Sequence, residues 1–162
     1  MTLLSRTHSL PAMAMKALIR VALRLLLVIG LAAGAGQSGA APGEPTEADW
    51  SSIQAVISSQ LDAFKRDDAV TAFSFASPSI QKQFRTPGEF MQMVRTGYGA
   101  VYGPRSVRFL DHFVLSGQPV QLLEIVTPDD EVMVAFYIME RQTDGSWKIA
   151  GCALEGAKAV SA

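Results

Sequence analysis

Between residues 46 and 97, apolar side chains recur at the spacing of a helix. Five of them lie three or four residues apart and so share one helical face: Trp50, Ile53, Ile57, Leu61 and Phe64. Thr46, with Asp49 three residues later, has the form of a capping box, and Lys65 and Arg66 suit a helix end. The pattern predicts a first helix that begins near Thr46 and ends near Arg66.

Shorter helical segments follow. Asp67-Asp68 can cap a helix over Ala69–Ala76, and Pro78 ends that helix and can open a further turn through Phe84. Thr86-Pro87-Gly88-Glu89 combines a capping threonine, a proline at the first helical position and a capping-box glutamate. This pattern predicts a helix from there to Gly97. The stretch 98–104 is then a turn-rich link.

From Arg105 onward the apolar period changes to that of a strand. Short turns, among them Asp144-Gly145, separate the segments, and such spacing is typical of an antiparallel meander. Helices followed by strands predict an α+β fold, with the N-terminal helices packed on one face of a four-stranded sheet. The predicted strands are Ser106–Leu115, Val120–Val126, Glu131–Arg141 and Ser146–Leu154.

The third predicted strand is apolar on both faces, over Val132 to Met139. An antiparallel sheet with one wet face normally alternates apolar and polar residues. The pattern therefore predicts that the outer face is also covered, most simply by a homodimer formed through that face. The alternative is that Tyr137 and the methionines are tolerated at the surface.

The N-terminal region has the three parts of a secretory signal peptide. Lys16, Arg20 and Arg24 precede the apolar run Leu25 to Ala33, and small residues follow it. Cleavage is predicted after Ala35 or Ala40, which makes 1–40 a signal peptide, 41–46 a flexible lead-in and 47–158 the domain. The apolar run is short for a membrane span. These features predict a periplasmic or secreted protein with no stable membrane anchor after cleavage.

Charge and composition exclude several classes of partner. Four of the fourteen basic residues precede residue 25, which leaves ten basic against fifteen acidic residues, a net charge of −5. Such a domain repels phosphate backbones, so no nucleic-acid partner is expected. One cysteine, Cys152, and one histidine, His112, follow the export segment. They cannot build a zinc or haem site, and no metal or cofactor is expected.

Motifs along most of the mature chain resemble a known superfamily. They are Phe84, the segment Thr86-Pro87 to Phe90, Tyr98 with Tyr102-Gly103-Pro104, and the closing strand Trp147 to Leu154. The chain resembles the nuclear transport factor 2-like (cystatin-like) superfamily, and more closely a family of exported bacterial proteins with a domain of unknown function. The resemblance implies a curved sheet around a long helix, leaving a conical hollow. Superfamily members include dehydratases, isomerases, ligand binders and dimerisation modules, so fold alone does not choose among them.

Asp111-His112 is the first candidate for chemistry, because an acid or histidine in the hollow could act as a general base. In a regular strand Asp111 shares a face with Val107, Phe109 and Phe113, and His112 points the other way. Only a bulge could bring both to one pocket. Alternatively, Asp111 pairs with Arg95 or Arg85. Tyr98 and Tyr102 could donate hydrogen bonds from a lid over the hollow.

Three functions fit these residues, and no catalytic residue is assigned. The first is a non-enzymatic domain that holds a small apolar or amphipathic ligand in its hollow, contacted by Phe64, Phe73, Phe90, Tyr98, Tyr102, Phe109 and Asp111. The alternative is that the same aromatic residues fill the hollow as core, which would exclude this function. The second is a dehydratase or isomerase that uses Asp111 as base and Tyr98 or Tyr102 as polarising group, with His112 a further candidate. The third is a dimeric envelope module that binds another protein through the outer sheet face.

Overall fold

The computed structural model describes residues 43–156, with five helices followed by four strands. The helices are α1 (Glu47–Lys65), α2 (Ala69–Ser74), α3 (Pro78–Phe84), α4 (Pro87–Gly97) and α5 (Gly99–Tyr102). The strands β1 (Ser106–Leu115), β2 (Gln118–Val126), β3 (Val132–Arg141) and β4 (Trp147–Gly156) form one antiparallel sheet in chain order. The predicted α+β fold is confirmed. The export segment 1–40 lies outside the described residues.

Helix α1 forms where the apolar stripe and the cap predict it. The Thr46 hydroxyl accepts a hydrogen bond from the Asp49 amide at 3.2 Å, and the Asp49 carboxylate accepts one from the Thr46 amide at 2.9 Å. These reciprocal bonds satisfy amides that a helix start leaves free. All five stripe residues, from Trp50 to Phe64, are buried in the core.

The segment between α2 and α3 ties the helical layer to the edge strand β4. The Ser77 amide donates to the Ile149 carbonyl at 2.8 Å, and the Ile149 amide donates to the Phe75 carbonyl at 2.9 Å. Ala76 and Ile149 thus form a parallel bridge. The bridge pairs backbone groups that an edge strand otherwise leaves open, and it holds the helices on one face of the sheet.

Strand β1 contains a bulge, and the predicted alternation of its side chains is therefore wrong beyond Phe109. Phe109 pairs with Leu123 and His112 pairs with Gln121, so two residues of β1, Leu110 and Asp111, oppose the single residue Leu122. An extra residue in one strand inverts the face of everything that follows it. His112 consequently faces the helices, whereas Phe113 faces outward. A second bulge interrupts the pairing of β3 with β4 after Ile138.

Strand β3 is apolar on both faces, as predicted. Ala135, Tyr137 and Met139 belong to the core shared with the helices. Val134, Phe136 and Ile138 alternate with them and lie on the outer face. Tyr137 is 1 % exposed, so the alternative that this tyrosine is tolerated at the surface is wrong.

Candidate functional site

The pairing register places four polar or reactive side chains in one row across the helix-facing side of the sheet. His112 of β1 pairs with Gln121 of β2, Gln121 with Tyr137 of β3, and Tyr137 with Cys152 of β4. Residues that pair across strands point to the same face. The neighbouring row, Phe109, Leu123, Ala135 and Leu154, is wholly apolar. We call the first set the polar row.

Gln121, which is fully buried, fixes the shape of the polar row. Its side-chain amide nitrogen donates to the carbonyls of Leu110 and Leu122, both at 2.9 Å, and more distantly to that of Asp111. Its side-chain carbonyl accepts a hydrogen bond from Gln54 of α1 at 3.2 Å. Backbone carbonyls at the bulge thus accept hydrogen bonds from a buried side chain.

His112 occupies the open end of the polar row. Its imidazole stacks on the indole of Trp50, with ring centroids 3.9 Å apart and planes inclined by 29°. The residue as a whole is exposed. The stack orients the ring toward α1. Asp111 is a residue of the bulge and lies on the other side of the sheet.

Tyr137 and Cys152 form the closed end of the polar row. Within the described part of the chain, the buried Tyr137 hydroxyl makes no hydrogen bond of ordinary geometry. Burial, and then the adjacent Cys152 thiol, hold the pKa of Tyr137 well above its ordinary value. Because a thiol is only a weak hydrogen-bond partner, it does not satisfy the phenol.

The Cys152 thiol carries no charge at neutral pH. Part of the residue remains accessible to solvent, but burial of the thiol raises its pKa to about 12, against the small opposing effect of Tyr137. Tyr98, half-buried at the end of α4, lies close enough that burial and the same thiol raise its pKa. Three protonated groups therefore meet here: two phenols and a thiol.

The predicted ligand-contacting phenylalanines form a packed aromatic cluster between the helices. Phe90 lies 5.3 Å from Phe73 and 6.2 Å from Phe64, measured between ring centroids, and Phe84 closes the cluster at 5.8 Å from Phe90. Phe64, Phe73 and Phe90 are all buried. They are core residues, which is the alternative to a ligand contact for these three side chains. Phe109, by contrast, is only partly buried and packs on the edge of that core.

Asp111 does not join the tyrosines. Both bulge residues oppose Leu122, whose side chain alternates with those of the core-facing Gln121 and Leu123, so Asp111 lies on the outer side of the sheet and is exposed. The expected partner Arg95 instead pairs with Asp67. The combination of Asp111 with Tyr98 or Tyr102 that the enzyme alternative requires is therefore not assembled.

Tyr102 belongs to a polar strap that fastens α5 to the turn after α1. Its hydroxyl donates to the Asp67 carboxylate at 2.9 Å and accepts from the Arg95 side chain at 3.1 Å, while Arg95 also pairs with Asp67. Hydrogen bonds from Arg95 and Tyr102 lower the pKa of Asp67. The strap holds α5 against the turn that follows α1.

Residues 43–156 contain neither a metal site nor a membrane-spanning helix. No group of three or more histidine, cysteine, aspartate or glutamate side chains is arranged to hold a metal ion. No helix in the same range is long and apolar enough to cross a membrane.

Comparison with known proteins identifies the family. Residues 46–162 match the family described as Domain of unknown function (DUF4864), which covers the whole described domain from the α1 cap onward. The chain therefore belongs to this family. A search of curated proteins finds no match.

The sequence pattern did not point to Gln121 or Tyr137 as site residues. Each has apolar residues on at least one side in its strand, and only the register shows that the two are neighbours. The register is interrupted at Leu110-Asp111 of β1 and at Ala150 of β4, and bulges often mark functional edges of sheets.

Proposed function

We propose that this domain is a nuclear transport factor 2-like binding module that holds a small apolar or amphipathic molecule between the sheet and the α4–α5 segment. The observation that supports the proposal is the buried hydroxyl of Tyr137, which has no hydrogen-bond partner among residues 43–156. A buried polar group without a partner costs about 1–3 kcal/mol. A ligand atom that pairs with the hydroxyl would remove this cost.

The surroundings of Tyr137 suit such a ligand. Partly buried side chains pack on the same core, among them Val107, Phe109, Tyr98 and Leu154. Phe109 and Leu154 belong to the apolar row next to the polar row. Ligand pockets are usually apolar with a few placed polar groups, and this arrangement has that composition. The aromatic cluster of Phe64, Phe73, Phe84 and Phe90 would contact the ligand from the helix side, and α5 would cover it.

Native mass spectrometry of the protein, expressed as the full chain and purified gently, tests the proposal. We expect a discrete additional mass that is released on denaturation and is reduced in Tyr137→Phe. Thr96→Val is a matched control, because it removes a hydroxyl that only donates to carbonyls of its own helix. Protein without a passenger, from wild type and both variants alike, would argue against the proposal.

We propose further that the protein is exported and that the binding domain works outside the cytoplasm. The basic residues before Leu25, the apolar run and the small residues up to Ala40 support this. N-terminal sequencing of the protein from a bacterial periplasmic fraction should give chains that begin after Ala35 or Ala40. An intact N-terminus in the membrane fraction would contradict export by cleavage.

A homodimer through the outer sheet face is the third element of the proposal. Val120, Phe136 and Ile138 are already 5 % exposed or less within the chain, so the patch open to a partner centres on Val132 and Val134. Arg108 and Glu124 form an ion pair on the same face, at 2.8 Å. A two-fold dimer brings a patch against itself, and an apolar patch with balanced charge suits that symmetry.

Sedimentation equilibrium tests the dimer. We expect twice the chain mass for wild type and a monomer for Val134→Lys, since a lysine would be buried against its own copy. Val70→Lys, on an exposed position of α2, is the control for an added surface charge. A wild-type monomer at micromolar concentration would rule the dimer out.

A further inference from the structure

The closed end of the polar row offers hydrogen-bond donors but no charge. Gln121 uses its amide nitrogen and its carbonyl oxygen within the protein. His112 is stacked on Trp50 at the other end. What remains beside the apolar row of Phe109 and Leu154 is the Tyr137 hydroxyl, the Cys152 thiol and, at the rim, the Tyr98 hydroxyl.

Four of the described cations make contacts of their own, and no described cation hydrogen-bonds the Tyr137 hydroxyl. Arg95 pairs with Asp67 in the strap, Arg108 with Glu124 on the outer face, and Arg141 with Asp49 beside α1. Lys148 donates to the Ser74 carbonyl at 2.7 Å. An anionic ligand group placed at Tyr137 would be buried without a counter-charge, which is strongly unfavourable.

We infer that the ligand is an uncharged, mainly apolar molecule with a hydrogen-bond acceptor such as a ketone or aldehyde carbonyl, and that Tyr137 donates to this acceptor. The inference rests on the proposed binding function and adds the chemical class of the ligand. A phenol is a good donor, and the Cys152 thiol beside it competes only weakly for its proton. The thiol remains protonated, because burial raises its pKa to about 12, and so adds no charge to the site.

Three probes of one ring system test the inference by equilibrium dialysis against the purified full-chain protein. Naphthalene has no polar atom, acetylnaphthalene carries a neutral acceptor, and naphthoate carries a charge. A neutral hydrogen bond contributes a factor of about three to ten in affinity. We expect acetylnaphthalene to bind tighter than naphthalene by that factor, and naphthoate to bind weaker than both.

Two substitutions locate the contact. Tyr137→Phe should reduce the affinity for acetylnaphthalene to that for naphthalene and leave naphthalene binding unchanged. Cys152→Ser should reduce the same preference while keeping the phenol, because a serine hydroxyl is a strong partner that would occupy Tyr137. Circular dichroism confirms that both variants are folded.

The outcomes separate the inference from the proposed function. Naphthoate binding as tightly as acetylnaphthalene would overturn the ligand class, and a preference that survives in Tyr137→Phe would overturn the contact with Tyr137. The binding function stands in both cases. Binding of none of the three probes would overturn both.

Discussion

At the scale of single residues, the glutamine at position 121 determines which side chains face the helices beyond the bulge. Its three donated bonds to β1 and β2 carbonyls stabilise the bulge, and the bulge directs His112 inward and Asp111 outward. A leucine at this position would fit the apolar surroundings but leave these carbonyls unpaired. The polar row therefore depends on one buried amide.

We predict that Gln121→Leu lowers the free energy of unfolding by about 2–3 kcal/mol, since buried carbonyls lose their donor. Gln54→Leu removes one hydrogen bond, to the side-chain carbonyl of Gln121, and should cost about 1 kcal/mol, less than the loss of the three bonds that Gln121 donates. Urea denaturation of the three proteins measures both values. Equal costs for the two substitutions would show that the bulge does not depend on Gln121.

The reactivity of Cys152 gives a second prediction at this scale. Its thiol has a pKa of about 12, so the thiolate that attacks an alkylating reagent is scarce at neutral pH. We expect iodoacetamide at pH 8 to modify the folded protein at least about a hundredfold more slowly than the urea-unfolded protein, whose thiol has its ordinary pKa of 9.0. Similar rates in the two states would mean that the thiol is solvated.

The sequence pattern predicted the α1 core residues but not the polar row, and the reason is distance along the chain. Trp50 to Phe64 share a face because of local helical geometry alone. The meeting of His112, Gln121, Tyr137 and Cys152 depends on register across three hairpins and on the extra residue in β1. Alternation counted along β1 alone therefore placed Asp111 and His112 on the wrong faces.

At the scale of secondary-structure elements, α5 is the segment whose attachment is most easily altered. The pattern predicted only a turn-rich link there, because Gly99 to Tyr102 is a single helical turn between glycines. Its side chains reach the rest of the protein through the buried Val101 and the exposed strap of Asp67, Arg95 and Tyr102. Exposed ion pairs are weakened by salt.

We predict that Arg95→Gln increases hydrogen exchange of the amides from Gly99 to Gly103 a few-fold and leaves the amides of α1 unchanged. Moderate salt should have the same effect on wild type and little further effect on the variant. Lys65→Gln is the control, because it removes an ion pair to Asp62 that lies within α1. Equal exchange in wild type and Arg95→Gln would show that the contacts of Arg95 do not hold α5.

At the scale of the whole molecule, ionisable groups limit stability from both ends of the pH range. Hydrogen bonds to Thr46 lower the pKa of Asp49, those to Thr71 lower that of Asp68, and those to Arg95 and Tyr102 lower that of Asp67. A carboxylate with a lowered pKa contributes stability above its unfolded pKa, and the contribution is lost as pH falls through the folded value. Acid therefore destabilises the helix caps and the strap together.

At alkaline pH stability depends on groups whose pKa values are raised by folding, not lowered. The pKa of the Cys152 thiol rises from 9.0 to about 12 on folding, and that of Tyr137 also rises. Their contribution is complete below the unfolded values and is lost as pH increases from 9.0 toward 12, because the unfolded chain releases these protons first. We predict a plateau of melting temperature between about pH 5 and 8, with a decline on each side. Asp49→Asn should flatten the acid decline alone and Cys152→Ala the alkaline decline alone. A variant that flattens both, or neither, would show that these two groups do not set the limits.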